Sequence, residues 1–177
     1  MMRYIIILAI AMFALTANAN TNTNDRIRWY SFEEAVELAV QNPRKILIDV
    51  YTDWCGFCKR MDAETFNNPQ VARYINENYY PVKLNSETTD TIYFKGHQFV
   101  NEGGGRRSPH QLSIALLQGQ MSYPSVVYIN EDLELLTAVP GFMGPADIEP
   151  ILRYFAEDYY LNTSWESFTE SFTGTFR

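Results

Sequence analysis

Cysteine, histidine and positive charge are all scarce in this chain. Its 177 residues hold two cysteines and two histidines, and the formal net charge is −7. Two cysteines exclude a scaffold stapled by several disulfides. A zinc site takes about four ligands, and beyond the cysteines only His97 and His110 remain, both far along the chain. The acidic balance argues against a nucleic-acid partner. No internal repeat is visible, which sets repeat architectures aside. The apolar run at residues 4–15 is shorter than the roughly 20 residues that cross a bilayer. What remains is the length of one domain, with 46% hydrophobic residues to build its core.

The N-terminus reads as an export signal. Met1, Met2 and Arg3 supply a positive start, residues 4–15 an apolar stretch, and Ala17-Asn18-Ala19 an Ala-x-Ala cleavage site. No cysteine follows the apolar stretch, so a lipid-anchored form is not expected. Residues 20–26 read as a flexible lead-in, and residues 27–177 as a single domain in the periplasm or outside the cell. That compartment permits disulfides, yet no spare cysteine is left for a structural bridge.

Both cysteines fall in Trp54-Cys55-Gly56-Phe57-Cys58-Lys59. This spacing opens a tight loop onto a helix and leaves the first sulfur at the helix N-terminus. Unpaired N–H groups and the helix dipole favour an anion there, so the thiol ionises more easily. A thiolate is the species that attacks disulfides. Three plainer readings stand beside a redox dithiol. A structural disulfide closing so short a loop removes little entropy from the unfolded chain. Zinc lacks ligands. Copper(I) on two thiolates and a histidine is chemically allowed, but no His or Met flanks the cysteines closely.

The elements around this motif follow from local signals. Ser31 and Glu34 form a capping box for a helix ending near Asn42-Pro43. Residues 45–51 are an apolar run expected to form a buried central strand. The Cys-x-x-Cys loop and a helix to about Phe66 follow. Asn68 and Pro69 restart a helix as N-cap and N1. A second strand is expected at 80–84, then an irregular insertion at 86–122 in which a helix begins at Ser108-Pro109. Strands follow at 124–129 and 133–139. A helix from Gly144-Pro145 to about Tyr160 comes next, with Pro150 tolerable only in or near its first turn. A last amphipathic segment at 163–173 carries Thr163 with Glu166 as a capping box. A strand, a crossover helix and another strand imply a parallel unit, a hairpin adds antiparallel strands, and helices cover both faces of a mixed sheet.

At residues 48–59, Val82-Lys83-Leu84, Tyr123-Pro124-Ser125 and Gly141, the chain resembles the thioredoxin superfamily, over roughly residues 27–158. The likeness is to exported thiol–disulfide proteins such as the periplasmic disulfide-reductase domain. It implies an α/β fold of three layers, α/β/α, with an insertion before a cis-proline strand. It implies that Cys55 attacks, that Cys58 is the buried resolving thiol, that Asp49 takes or gives the proton of Cys58, and that Lys83 pairs with Asp49. A carboxylate inside an apolar strand is costly without such a task. Trp54, Gly56, Phe57, Tyr123, Pro124 and Gly141 are then the substrate-binding face, with a cis bond at Pro124 and the Tyr123 backbone pairing with an extended substrate.

Phe57 departs from the proline of thioredoxin and from the histidine of oxidising relatives. It carries no donor and no charge, so Cys55 is expected near pKa ~7 and the couple nearer about −270 mV than about −120 mV. The function implied is a protein-disulfide oxidoreductase of reductase or isomerase type. It needs no bound cofactor, because the dithiol carries the electrons. Its partners are exported disulfide-containing proteins and a membrane-bound electron donor. The rival is a copper(I)-binding or holdase module without redox turnover. The insertion reads either as a lid beside the site or as padding for a sheet edge, with Arg106, Arg107 and the two histidines on a solvated face. The Trp165–Phe172 stripe reads as packing.

Overall fold

Strand β1 (Lys45–Tyr51) lies inside the main sheet because it carries apolar side chains on both faces, and all its residues but Tyr51 are buried, Lys45 and Asp49 included. The computed structural model describes residues 25–105 and 107–177. The export signal, residues 20–24 of the lead-in, and Arg106 lie outside the described residues. Helix α1 (Phe32–Gln41) precedes β1 and starts from the Ser31–Glu34 capping box. Helix α2 (Gly56–Met61) leads through a π-helical turn (Asp62–Phe66) to α3 (Pro69–Asn78), capped by Asn68 with Pro69 in its first turn. Strand β2 (Tyr79–Asn85) follows, then a small hairpin, β3 (Ile92–Phe94) and β4 (His97–Phe99). Helix α4 (Gln111–Leu116), strands β5 (Ser125–Ile129) and β6 (Leu135–Pro140), and helices α5 (Pro145–Ala156) and α6 (Trp165–Ser171) complete the chain.

The main sheet has the order β2-β1-β5-β6. β1 and β2 are parallel, whereas β1–β5 and β5–β6 are antiparallel. Side chains alternate along each strand, and the alternation divides the core. Ile46, Ile48, Val50, Val82 and Val127 meet α1 and α4 on one face. Leu47, Val126 and Tyr128 meet Met61, Ile75, Ile148 and Leu152 of α2, α3 and α5 on the other. The expected three layers around a mixed sheet are therefore present.

Several local expectations are corrected. The irregular insertion contains the β3–β4 hairpin, which turns through Lys95 and Gly96 at positive φ. Helix α4 begins at Gln111 and not at Ser108-Pro109, because His110 is its N-cap and accepts the Leu112 N–H on Nδ1. That imidazole is fully buried, whereas His97 and Arg107 lie on the surface as expected. β6 starts at Leu135 and not Leu133, which sits at positive φ in the turn before it. Helix α5 ends at Ala156, and a separate 3-10 turn occupies Tyr159–Leu161. Pro150 falls in the second turn of α5, where its missing N–H leaves the Ala146 carbonyl without its usual partner. Ser164 caps α6 in place of Thr163, its Oγ accepting from the Ser167 N–H.

Candidate active site

The cysteine pair sits where β1 ends and α2 begins. The Cys55 N–H donates to the Thr52 carbonyl at 3.1 Å, which folds the chain back into the loop. Cys55 is the N-cap of α2, and its Sγ accepts the Cys58 N–H at 3.0 Å. The two cysteines are joined in a disulfide. In this oxidised state Cys55 is 5% exposed and Cys58 3%. The expected contrast in exposure is thus absent here. The asymmetry lies in the backbone: the first sulfur faces the helix N-terminus, where an N–H already points at it. Beside the pair, Trp54 is 47% and Phe57 61% exposed, and no atom approaches the open side of Gly56.

Below the cysteines lies a short chain of charges. Asp49 and Lys83 are in register on parallel strands, and Lys83 Nζ donates to Asp49 Oδ2 at 2.8 Å. The same ammonium bonds the Asp62 carboxylate, which sits four residues after Cys58 and on the same helix face. The Asp49 side chain is 2% exposed and that of Asp62 39%. Lys83 therefore connects a buried acid to a solvated one, with its cation among the rings of Trp29, Tyr51 and Phe66. A cleft of about 290 Å³, lined in part by Trp29, Asp62, Phe66 and Lys83, opens on this group. Asp49 points to the same sheet face as Leu47, the face that α2 covers.

Burial pushes the Asp49 carboxyl up to about 6, against the attraction of Lys83 and with a small added push from the Asp62 charge. Burial opposes the Lys83 charge, but Asp49 and Asp62 outweigh it and hold the ammonium above its ordinary value. The second Asp49 oxygen, Oδ1, has no hydrogen-bond partner among the described residues. A buried carboxyl that titrates near neutrality and keeps one oxygen unengaged is equipped to accept a proton.

On the other side, the Val50–Ser125 pairing carries the Tyr123-Pro124 end of β5 to the end of β1 that feeds the cysteine loop. The Tyr123–Pro124 peptide is cis. Tyr123 meets Trp54 edge-to-face with 6.0 Å between ring centres, and its hydroxyl lies 2.7 Å from Ser86 Oγ. Gly141 donates its N–H to the Pro124 carbonyl at 2.8 Å with φ of 100°, a left-handed conformation that glycine adopts without cost.

The structure thus brings Asp49, Lys83 and Cys58 to one side of α2, and Trp54, Phe57, Tyr123, Pro124 and Gly141 to the rim. Asp62, Glu87 and Arg107 join them, and of these sequence reasoning named only Arg107, on a solvated face of the insertion. Asp62 was within reach, since it shares a helix face with the second cysteine. Glu87 accepts the Trp54 Nε1–H at 2.7 Å, and the Arg107 guanidinium lies 4.4 Å above the indole. No local signal placed either of them against Trp54. His110 is not available to a metal, because Nδ1 and Nε2 are bonded to Leu112 N and the Asp90 carbonyl.

Comparison with known proteins places this geometry in context. A family model described as a thioredoxin-like domain matches residues 32–156. The mouse protein spermatogenesis-associated protein 20 is 30% identical over 83 residues, covering 45% of this chain and 10% of that protein. The thiol:disulfide interchange protein DsbD of Neisseria meningitidis is 27% identical over 94 residues, covering 52% of this chain and 15% of that protein. The chain thus spans about a tenth of the length of the mouse protein. Among solved structures, a thioredoxin from Thermus thermophilus superposes with a TM-score of 0.54 at 17% identity, over 73% of this chain and 86% of that one.

Proposed function

The chain belongs to the thioredoxin-like domain family, and from that premise we propose that it is an exported protein-disulfide oxidoreductase working in the reducing or isomerising direction. The observation that carries the reading is the Cys55 sulfur at the N-terminus of α2, with the Asp49–Lys83 pair beneath the same helix.

The reaction starts from the reduced dithiol. The Cys55 thiolate attacks one sulfur of a substrate disulfide. A bond forms between Cys55 and that sulfur, the substrate S–S bond breaks, and the other substrate sulfur leaves as a thiolate and takes up a proton. Asp49 then accepts the proton of Cys58, and the new thiolate attacks Cys55 Sγ. The mixed disulfide breaks, the second substrate sulfur leaves as a thiolate and takes up a proton, Asp49 gives its own proton back to solvent, and the protein is left with the Cys55–Cys58 disulfide. Lys83 holds Asp49 in place and pairs at the same time with Asp62, which faces water. The cycle closes only if a dithiol donor reduces the pair again. A membrane-bound donor is the partner this requires in an oxidising compartment, and Phe57, which does nothing to stabilise a thiolate, supports the reducing direction. Among the described residues no helix is long and apolar enough to cross a membrane.

Trapping tests the assignment. Cys58→Ser is expected to accumulate mixed disulfides through Cys55 on a non-reducing gel, and Cys55→Ser almost none. Equal accumulation by both variants would contradict it.

A further inference from the structure

The insertion between β2 and β5 ends at the rim of the dithiol. Its two arms are far apart in sequence and tied together in space. The His110 N–H donates to the Ser86 carbonyl at 2.7 Å, and Asn101 Nδ2 donates to the Thr88 and Ser108 carbonyls at 3.1 and 2.8 Å. The buried His110 ring adds a bond to the Asp90 carbonyl. Each arm then delivers one charged group to Trp54, the residue just before Cys55. Glu87 takes the indole N–H at its edge, and Arg107 covers its face.

The two groups are not equivalent. One Glu87 oxygen is spent on the indole. Arg107 is exposed, and stacking is the interaction it makes among the described residues. This contact leaves the guanidinium's fork of N–H donors, which matches a carboxylate, without an acidic partner among the described residues. Arg107 also holds φ of 70°, a left-handed conformation uncommon for a residue with a long side chain. The chain as a whole is acidic, with a net charge of −7, so overall attraction does not draw an acidic partner to it. Any preference for one must come from this local fork.

We propose that Arg107 is a specificity-determining residue, which favours substrate segments carrying a carboxylate beside the disulfide that Cys55 attacks. Trp54 and Phe57 supply the apolar surface for such a segment, and Arg107 reads its charge. Glu87 fixes the indole on which the guanidinium rests. This inference rests on the exchange activity proposed above.

The test uses the reduced full chain and three disulfide-bonded peptides that differ only in the residue next to the accessible cysteine, Glu, Gln or Lys. The expected order is Glu fastest and Lys slowest, with Glu ahead of Gln by about two- to fivefold at low salt, the worth of an exposed ion pair. The difference appears in KM and not in kcat, and it shrinks at about 0.3 M salt. Arg107→Gln should equalise the Glu and Gln peptides, and Arg107→Lys should keep part of the preference. Wild type that treats the three peptides alike, or an unchanged preference in Arg107→Gln, overturns the role of Arg107 while leaving the exchange activity standing. Failure to exchange with any peptide removes both.

Discussion

Two lysines in this molecule each bridge two carboxylates, and they do so at opposite ends of the parallel strand pair. Lys45 opens β1 and reaches Glu131 at 2.8 Å and Asp158 at 2.6 Å. Lys83 lies near the end of β2 and reaches Asp49 and Asp62. The chemistry is the same, but the burial is inverted. Lys45 is the buried member, with a side chain 3% exposed, and its partners are 38% and 53% exposed. In the other cluster the buried member is a carboxylate, Asp49, at 2%. A buried lysine with two solvated acids is a satisfied staple, joining the start of β1 to the β5–β6 turn and to the end of α5. A buried acid with one oxygen unengaged, titrating near neutrality, holds a proton that can be moved. The difference teaches that ion-pair count does not mark a working site, whereas the identity of the buried partner does.

Removing each lysine should separate the two roles. Lys83→Met strands a buried carboxylate, and such losses cost roughly 3–5 kcal/mol when the charge persists. Here Asp49 escapes part of that by staying protonated, so the loss should be small at about pH 5 and grow by about 1.4 kcal/mol per pH unit above about pH 6. Chemical denaturation across that range measures it, and a pH-independent loss would remove the contrast between the clusters.

Asp49→Asn should act in the opposite direction. The Asp49 carboxyl is raised in the fold to about 6 from an ordinary 3.8. The native state therefore binds more protons than the unfolded chain between those values, and stability falls as pH rises through the window. Below it the penalty is absent, and above it the penalty is complete. Replacement by Asn removes the penalty and should stabilise the protein above neutrality by on the order of 1–3 kcal/mol, with little gain at about pH 4. An equal change at both ends of the range would show that Asp49 is ionised throughout.

Lys45→Met leaves its two acids in water, so its cost should be only about 1–2 kcal/mol, mostly lost pairing. That cost should not vary between about pH 6 and about pH 8, and the exchange rate should stay at the wild-type value. A changed rate would mean that the far cluster also serves the site. The smallest effect belongs to Asp62→Asn. Its charge pushes Asp49 up slightly, so the Asp49 midpoint should move down by roughly half a pH unit or less, read by NMR of the carboxyl carbon. An upward movement would reverse the role given to Asp62.

How much of this was legible in the sequence depends on the range of the interaction. The capping groups Ser31 and Asn68, the buried run of β1 and the cysteine motif are local signals, and each is found where local chemistry put it. The β3–β4 hairpin escaped because strands of three residues are too short to show alternation. The start of α4 escaped because a histidine seldom caps a helix, and here tertiary burial of the ring makes it do so. The partners of Lys45 lie 86 and 113 residues away, and nothing in a strand of mostly apolar residues announces them. Arg107 over Trp54 is of the same kind, since an irregular loop has no register from which to place a side chain.

The central claim is that Asp49 moves the proton of Cys58. It is tested most directly by resolving a preformed mixed disulfide on Cys55 across pH, in wild type and in Asp49→Asn. The wild-type rate should rise through about pH 6, as Asp49 ionises, and then level off until the Cys58 thiol ionises unaided. Asp49→Asn should lose that rise and run about tenfold or more slower near neutrality, the range of general base catalysis. Superimposable pH profiles for the two proteins would contradict the account and leave Asp49 as a buried charge without a part in the exchange.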